Sequence, residues 1–265
     1  MKEIKVFDIA ISHPQRIIDG KIKKIDIIKY YEQISSIILP FVANRPVSEI
    51  RCHSDIQSAF FRKHHSNSDD LIYVKDKNSL ILECQNGTIE FHMYGYNVKT
   101  NQPHIMVFDL DPDDKLSLKK VRRGVLDLKT ILDKLNLKSF LKTSGGKGYH
   151  VVIPFSKVTN YRKFESFAKK VAVIMEKTWP DLYTTNIKKD ARNGKIFIDY
   201  LRNKKSATCV APYSLRARKN FPISFPISWA DLNKFTPNKV NIKNIKRYLD
   251  NNAWNDFFEV KQELI

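Results

Sequence analysis

The sequence predicts an α+β fold, on three observations. Long segments carry apolar residues at helical spacing. Between them stand short apolar, β-branched runs stopped by glycine or acidic turns. No internal repeat, low-complexity tract or Pro/Ser-rich linker separates the two kinds. The elements follow in order. Residues 23–43 place Ile25, Ile28, Tyr31, Ile34 and Ile38 on one helical face, and Pro46 follows the helix end. Residues 45–52, 71–74 and 88–94 read as strands. In "NQPHIMVFDLDPDD", residues 104–110 form an apolar run that ends in acids, as a buried strand does at its turn. A helix over 117–136 would align Val121, Val125, Leu128, Ile131 and Leu135. A strand–glycine loop–strand unit occupies 139–154. A helix over 160–178 uses Phe164, Phe167, Val171 and Ile174. "KIFIDYL" and "SATCVAP" are further strands, and a last helix is expected around 242–258. The acidic and glycine-rich elements belong to one central sheet with helices flanking it.

Composition narrows the function. A 265-residue chain with 42% hydrophobic and 11% aromatic residues is long and apolar enough to bury a sizeable core. No run approaches the roughly 18 apolar residues of a membrane span, and the N-terminus lacks an apolar signal core, so a cytoplasmic protein is expected. Cys52, Cys84 and Cys209 are widely spaced, with no C-x-x-C or zinc pairing, and read as reduced structural residues. Lysine and arginine exceed aspartate and glutamate by 46 to 28, a formal net charge of +18 spread along the chain. An excess of that size suits a phosphate-rich partner, a nucleic acid or a nucleotide.

Against that basic background a few acids stand out. Asp109 and Asp111 flank Leu110 at a strand end. The period of two puts both carboxylates on one face, with Cα atoms about 6.5–7 Å apart. Two carboxylates so close repel unless a cation lies between them, and hard oxygen donors suit Mg²⁺ or Mn²⁺. An acidic turn is the plainer reading of "DPDD". Asp199 in "GKIFIDYLRN" repeats the strand-end pattern; it either joins a two-metal site or pairs with Arg202. The segment "SFLKTSGGKGYHVVIPF" places Gly145, Gly146 and Gly148 within four positions of a chain with only eight glycines. Ser144, Lys147, His150 and backbone N–H groups there could cradle a triphosphate, although an ordinary hairpin has the same composition. It is not a P-loop, since Gly148 and not Ser or Thr follows Lys147.

In order, "FDLD", "TSGGKGYH", "FIDYLRN" and "APYSLRAR" make the chain resemble the polymerase domain of bacterial ligase D, in the archaeo-eukaryotic primase superfamily. "ANRPVSEIRC", "SAFFRKH" and "FPISFPISWADL" extend the resemblance over nearly the whole chain. It implies a primase-like fold in a single catalytic domain over 1–265, with residues 1–95 or so contributing DNA-end binding. It implies Asp109, Asp111 and Asp199 as ligands of two Mn²⁺ or Mg²⁺ ions. It places His92, Ser144, Lys147, His150 and Arg216 at the nucleotide. Arg16 and Lys24 would grip a 5′-phosphate, and Phe60 and Phe61 would lie near the templating base, unless they are core. The implied activity is template-dependent addition of ribonucleotides or deoxyribonucleotides to a primer at gaps or broken ends, in non-homologous end joining with Ku and a separate ligase. Tyr94 replaces the family's tryptophan, and the loop around "IIDGKIKK" is shortened. The chain has no K-x-D-G ligase motif, which is expected of a stand-alone polymerase domain or of a piece cut from a larger chain.

Three other readings use the same residues. A D-x-D phosphatase normally has Thr or Val where Asp113 stands. A D-x-D, Mn²⁺-dependent glycosyltransferase leaves the +18 charge unexplained. A non-catalytic DNA-end-binding protein leaves three strand-end carboxylates idle. Metal-dependent turnover separates the non-catalytic binder from the enzymes.

Overall fold

The computed structural model describes residues 4–65, 68–158, 160–188, 190, 192–250 and 253–264. Two sheets organise it. In the first, β1 (Pro46–Arg51) pairs antiparallel with β2 (Phe60–Arg62), with the short β3 (Ile72–Tyr73) and with β4 (Thr88–Tyr94). The second sheet is built around β5 (Ile105–Pro112) and the hairpin of β6 (Phe140–Thr143) and β7 (Tyr149–Pro154). It also holds β8 (Tyr183–Thr184) and β9 (Ile196–Asp199). The strand β10 (Thr208–Val210) follows in the chain but forms the edge of the first sheet beside β4, and β11 (Pro226–Ile227) closes the second beside β6. The spatial orders are β10-β4-β1-β2 and β8-β9-β5-β7-β6-β11. All of these pairs are antiparallel except β8–β9. Because β10 comes from late in the chain, the N-terminal region does not complete its sheet alone.

Helix α1 (Lys24–Val42) buries the expected stripe: Ile28, Tyr31, Ile34 and Ile38 are wholly inaccessible. Each such side chain stabilises by roughly 1.5–3 kcal/mol. Tyr31 packs edge-on against Phe91 of β4, which fixes the side of the first sheet that α1 covers. Helix α2 (Lys77–Gln85), not expected from apolar spacing, is set by its ends. Asp76 accepts from Ser79 N at 2.8 Å, Ser79 Oγ accepts from Asp76 N at 2.9 Å, and Gly87 follows with φ +99°. Helices α3 (Leu118–Lys134) and α4 (Tyr161–Thr178) are capped by Ser117 and Asn160. Helix α3 covers the second sheet from behind: a Cβ on Gly124 would lie only 2.9 Å from Ile196 Cδ1 and 3.3 Å from Leu110 Cδ2. Leu135 and Ile174, expected on the buried faces, are 44% and 47% exposed, because each stripe drifts off the sheet near its helix's C-terminal end.

The last expected helix is corrected. Within 242–258 the described residues form a 3₁₀ turn at Ile245–Arg247 and other turns. Asparagine side chains capture the backbone there: Asn244 Oδ1 accepts from Asn241 N at 2.9 Å, and Asn241 Oδ1 accepts from Lys243 N at 3.0 Å. The apolar residues that mimicked a helical stripe serve tertiary packing. Trp254 stacks on Phe257 at 4.7 Å, both contact Phe41 and Phe140, and Trp254 Nε1 donates to Leu141 O. All three cysteines are buried and free, as expected.

Candidate active site

Strand register builds the site. On β5, Asp109 lies directly opposite His150 of β7 on one side and Asp199 of β9 on the other. His150 in turn lies opposite Lys142 of β6. Lys142, His150, Asp109 and Asp199 therefore form one row across four strands, on one face of the sheet. Asp111, two residues along β5, shares that face. The turn after Asp199 is pinned by Asn203, whose side chain accepts from Val107 N and donates to Val107 O, each at 2.8 Å. Convergence of the three acids, which spacing alone left open, is a product of this register. The rival pairing is present as well, since Arg202 Nε sits 3.0 Å from Asp199 Oδ2.

Asp109, Asp111 and His150 line one side of a cleft of about 620 Å³, with Asp199 and the buried Lys142 beside them in register but outside its lining. His92, Thr208, Cys209 and Val210 of the first sheet line it, together with the glycine loop, Arg216 and Arg218. Its acids are under electrostatic tension. Burial raises Asp109 to about 6; the Asp199 and Asp111 carboxylates add to this, and Arg202 and Lys142 oppose it. Arg192 Nη1 holds Asp111 Oδ2 at 2.6 Å and lies over the Phe197 ring. Among the described residues no group of three His, Cys, Asp or Glu side chains is set to hold a metal ion. Two of the three carboxylates are engaged by guanidinium groups.

Across the cleft, cations dominate. Buried Glu90 of β4 accepts from Arg216 Nε at 2.9 Å and from Ala217 N at 2.6 Å, and meets His92 Nε2 at 2.7 Å. Burial pushes this carboxyl up, but the His92 hydrogen bond and the Arg216 charge outweigh it and hold Glu90 at about 2. Arg216 Nη1 also donates to Ser144 O at 2.5 Å, which ties the glycine loop to the first sheet.

The loop explains its glycines. Gly145 has φ +68°, and a Cβ there would crowd Arg216 Cγ. A Cβ on Gly148 would collide with Leu110 O, between the two β5 aspartates. The loop's N–H groups are less free than the sequence reading expects. Gly146 N and Gly148 N donate to Ser144 Oγ at 3.1 and 3.3 Å, and Gly145 N donates to Pro237 O. The five turn residues, 144–148, spend three glycine N–H groups within the protein, so the donors facing the cleft are chiefly side chains. Lys147 is exposed and pairs with exposed Asp114, a solvent-screened contact of small worth.

A family model described as the LigD primase-polymerase domain matches residues 23–258. The chain belongs to the LigD primase-polymerase family. Its relatives include the multifunctional non-homologous end joining protein LigD of Pseudomonas aeruginosa, 31% identical over 281 residues covering 97% of this chain and 34% of that protein. The bifunctional non-homologous end joining protein LigD of Bacillus subtilis is 29% identical over 227 residues, 80% of this chain and 37% of that protein. The chain thus spans about a third of the length of these curated relatives. Among solved structures, the polymerase domain from Mycobacterium tuberculosis ligase D in complex with DNA superposes with a TM-score of 0.85 at 24% identity. That match covers 94% of this chain and 97% of the other, a likeness of fold.

Within this LigD-type fold, the sequence-expected residues divide. Asp109, Asp111, Asp199, His92, Ser144, Lys147, His150 and Arg216 are all at the cleft, except that Asp199 is not in its lining and stands beside Asp109 through register. Arg16, Lys24, Phe60 and Phe61 are outside the lining. Lys24 is 4% exposed and donates from Nζ to Ser12 O at 2.7 Å, and burial with the nearby Arg16 charge lowers it to about 8. It lines a small hollow with Arg16, Cys52 and Cys84. Phe60 and Phe61 are 39% and 57% exposed, which removes the core-packing alternative for both. Lys142, Glu90, Arg192 and Arg218 were not singled out from sequence. Arg218 was visible in "SLRAR"; Lys142 acts through Val210 and across a strand pair through His150, and Glu90 acts through Arg216, 126 residues on, besides its near neighbour His92.

Proposed function

We propose that this chain is a template-directed nucleotidyltransferase that extends a primer 3′-hydroxyl at gaps or broken DNA ends, in repair by non-homologous end joining. The observation that carries the reading is the cross-strand row Lys142–His150–Asp109–Asp199, with Asp111, of which Asp109, Asp111 and His150 line a cation-rich cleft in a chain of this family. The donor set fits a hard divalent cation: oxygen ligands only, on adjacent strands, with Asp109's carboxyl raised to about 6 by burial and its acidic neighbours. Asp109, Asp111 and Asp199 would hold Mn²⁺ or Mg²⁺, after Arg192 and Arg202 yield their carboxylates. Two such ions would activate the primer oxygen and neutralise the leaving pyrophosphate.

The chain's own residues do the rest. Arg216, set in orientation by Glu90, offers its guanidinium to the triphosphate, and Lys147 and Arg218 add positive charge at the cleft's rim. His92 and His150 face the same space from the two sheets. Phe60 and Phe61 present exposed rings on which a base can stack, and Arg16 with Lys24 is the candidate 5′-phosphate contact. For Lys24 that role requires its Ser12 hydrogen bond to open. Ribonucleotides are the expected preference, with Ku and a separate ligase as partners in a bacterial or archaeal cytoplasm. Among the described residues no helix is long and apolar enough to cross a membrane.

The test is extension of a labelled primer on a short-gapped duplex bearing a 5′-phosphate, with Mn²⁺ and either NTPs or dNTPs. Metal-dependent extension that disappears in Asp109→Asn, with DNA binding retained, is the expected result. Undiminished extension by Asp109→Asn would remove the carboxylate from the chemistry. Binding without any extension by the unaltered chain would make it a DNA-end-binding module.

A further inference from the structure

Lys142 is a fully buried lysine with no carboxylate in hydrogen-bond contact, an expensive arrangement that calls for a reason. Its ammonium meets three groups: Val210 O at 3.0 Å, Ser224 Oγ at 2.6 Å and His150 Nδ1 at 2.9 Å. The carbonyl can only accept. Ser224 spends its own proton on Thr143 O at 3.2 Å, so toward Lys142 it accepts as well. An ammonium has three protons and no lone pair, which leaves the third proton for Nδ1. Cys209 Sγ stands 3.2 Å from the same nitrogen, and burial raises this thiol so that it too keeps its proton. Toward Nδ1 the ammonium can only donate, and the thiol can donate as well.

We infer that Lys142 is a positioning residue that locks His150 as the neutral tautomer with the proton on Nε2, making His150 a hydrogen-bond donor into the nucleotide cleft. The inference rests on the nucleotidyl-transfer reading for what that donor meets. His150 Nε2 lies 3.4 Å from Asp109 Oδ1, too long for a strong hydrogen bond, so its N–H is available to a phosphate oxygen entering beside the acidic row. With Nδ1 occupied and Nε2 protonated, the ring has no free lone pair toward the cleft. It cannot serve there as a general base or as a metal ligand. Three strands cooperate in this: β6 supplies Lys142, β7 the ring and β10 the Val210 carbonyl and the thiol, so the second sheet's row is fixed from the edge of the first.

The deciding measurement is long-range ¹H–¹⁵N NMR of the full chain labelled at histidine, near pH 7 and without metal, with His150 assigned by the loss of its signals in His150→Gln. An unprotonated Nδ1 and a protonated Nε2 are expected. A proton on Nδ1, or a doubly protonated ring, overturns the inference. In Lys142→Met, which keeps the length and removes the donor, the tautomer preference should weaken and the apparent nucleotide KM should rise about tenfold, with kcat changed less. The double variant Lys142→Met/His150→Gln should be hardly worse than either single one, whereas additive losses would mean that Lys142 acts independently of the ring. Should Lys142→Met fail to fold, the spectrum of the unaltered chain still decides. An unaltered chain that shows the expected tautomer but no extension would sink the nucleotidyl-transfer reading and leave the Lys142–His150 assignment standing.

Discussion

Two glutamates on neighbouring strands of the first sheet, Glu49 and Glu90, are buried to similar degrees and held in opposite ways. In register Glu90 lies opposite Ile50 while Glu49 lies opposite Phe91, so they project from opposite faces. Glu49 points to the helical side, where Arg51 Nε holds it at 2.8 Å while also pairing with Glu83 of α2. Burial, helped by the Glu83 charge, raises Glu49 to about 7 in spite of Arg51. Glu90 points to the cleft and is held at about 2 by His92, Arg216 and the Ala217 N–H. One cation shared by two acids is a closed structural cluster. One acid shared by an arginine, a histidine and an amide fixes a guanidinium at the cleft, and that is the face on which an anion is expected to dock.

The comparison can be broken most forcefully at Arg51. Arg51→Met would leave two buried carboxylates without their cation and should cost about 3–5 kcal/mol in urea unfolding, with extension per folded molecule unchanged. If extension fell with little loss of stability, the cluster would not be merely structural. Next comes Glu90→Gln, which keeps the shape but releases Arg216 and His92. A rise of about tenfold in nucleotide KM is expected, with a stability loss of about 1–3 kcal/mol. Unchanged KM would mean that Arg216 does not depend on Glu90 for its aim.

The pH profile sharpens the same contrast. Glu90 is depressed from 4.5 to about 2, so its contribution is present above about pH 4.5 and disappears as the pH falls toward 2. On the order of 3 kcal/mol is at stake. Glu49 is raised, so the folded state holds its proton longer than the unfolded chain, and stability declines as pH rises from about 4.5 to 7. Asp109, raised to about 6, adds to that decline in metal-free protein. Unfolding followed against pH should show an acid limb that flattens in Glu90→Gln and a neutral limb that shallows in Glu49→Gln. The smallest expected effect is that of Glu49→Gln on stability near pH 7, within about 1 kcal/mol, because little of the ionised form's benefit is there to lose.

Much of this was legible in the chain. The periodic residues of α1, α3 and α4 became helices within one or two residues of the expected bounds, and the glycine-rich segment is the hairpin between β6 and β7. Helix α2 is too short for its apolar spacing to stand out, and only the Asp76–Ser79 capping pair and Gly87 mark it. The expected helix at 242–258 failed for the converse reason: its spacing came from aromatics that pack on Phe41 and Phe140, while asparagines took the backbone hydrogen bonds. For the site, Asp109, Asp111, Asp199 and the Ser144–His150 loop were identifiable because strand-end acids and clustered glycines are local signals. Lys24 shows the limit of such signals, since a lysine that reads as surface charge is turned inward onto Ser12 O.

By itself the sequence determined the residue types at each strand end, the two-residue spacing that puts Asp109 and Asp111 on one face, the glycines that let a backbone pass against Leu110, and the charge that calls for a phosphate-rich partner. Those properties depend on neighbours in the chain. Only the tertiary structure decided that Asp199 and His150 flank Asp109, that Lys142 stands behind His150, and that Glu90 aims Arg216. The first two are matters of strand register, and the last is a side-chain contact between segments 126 residues apart. A shift of one residue would turn every one of these side chains to the other face, and no local preference encodes that choice.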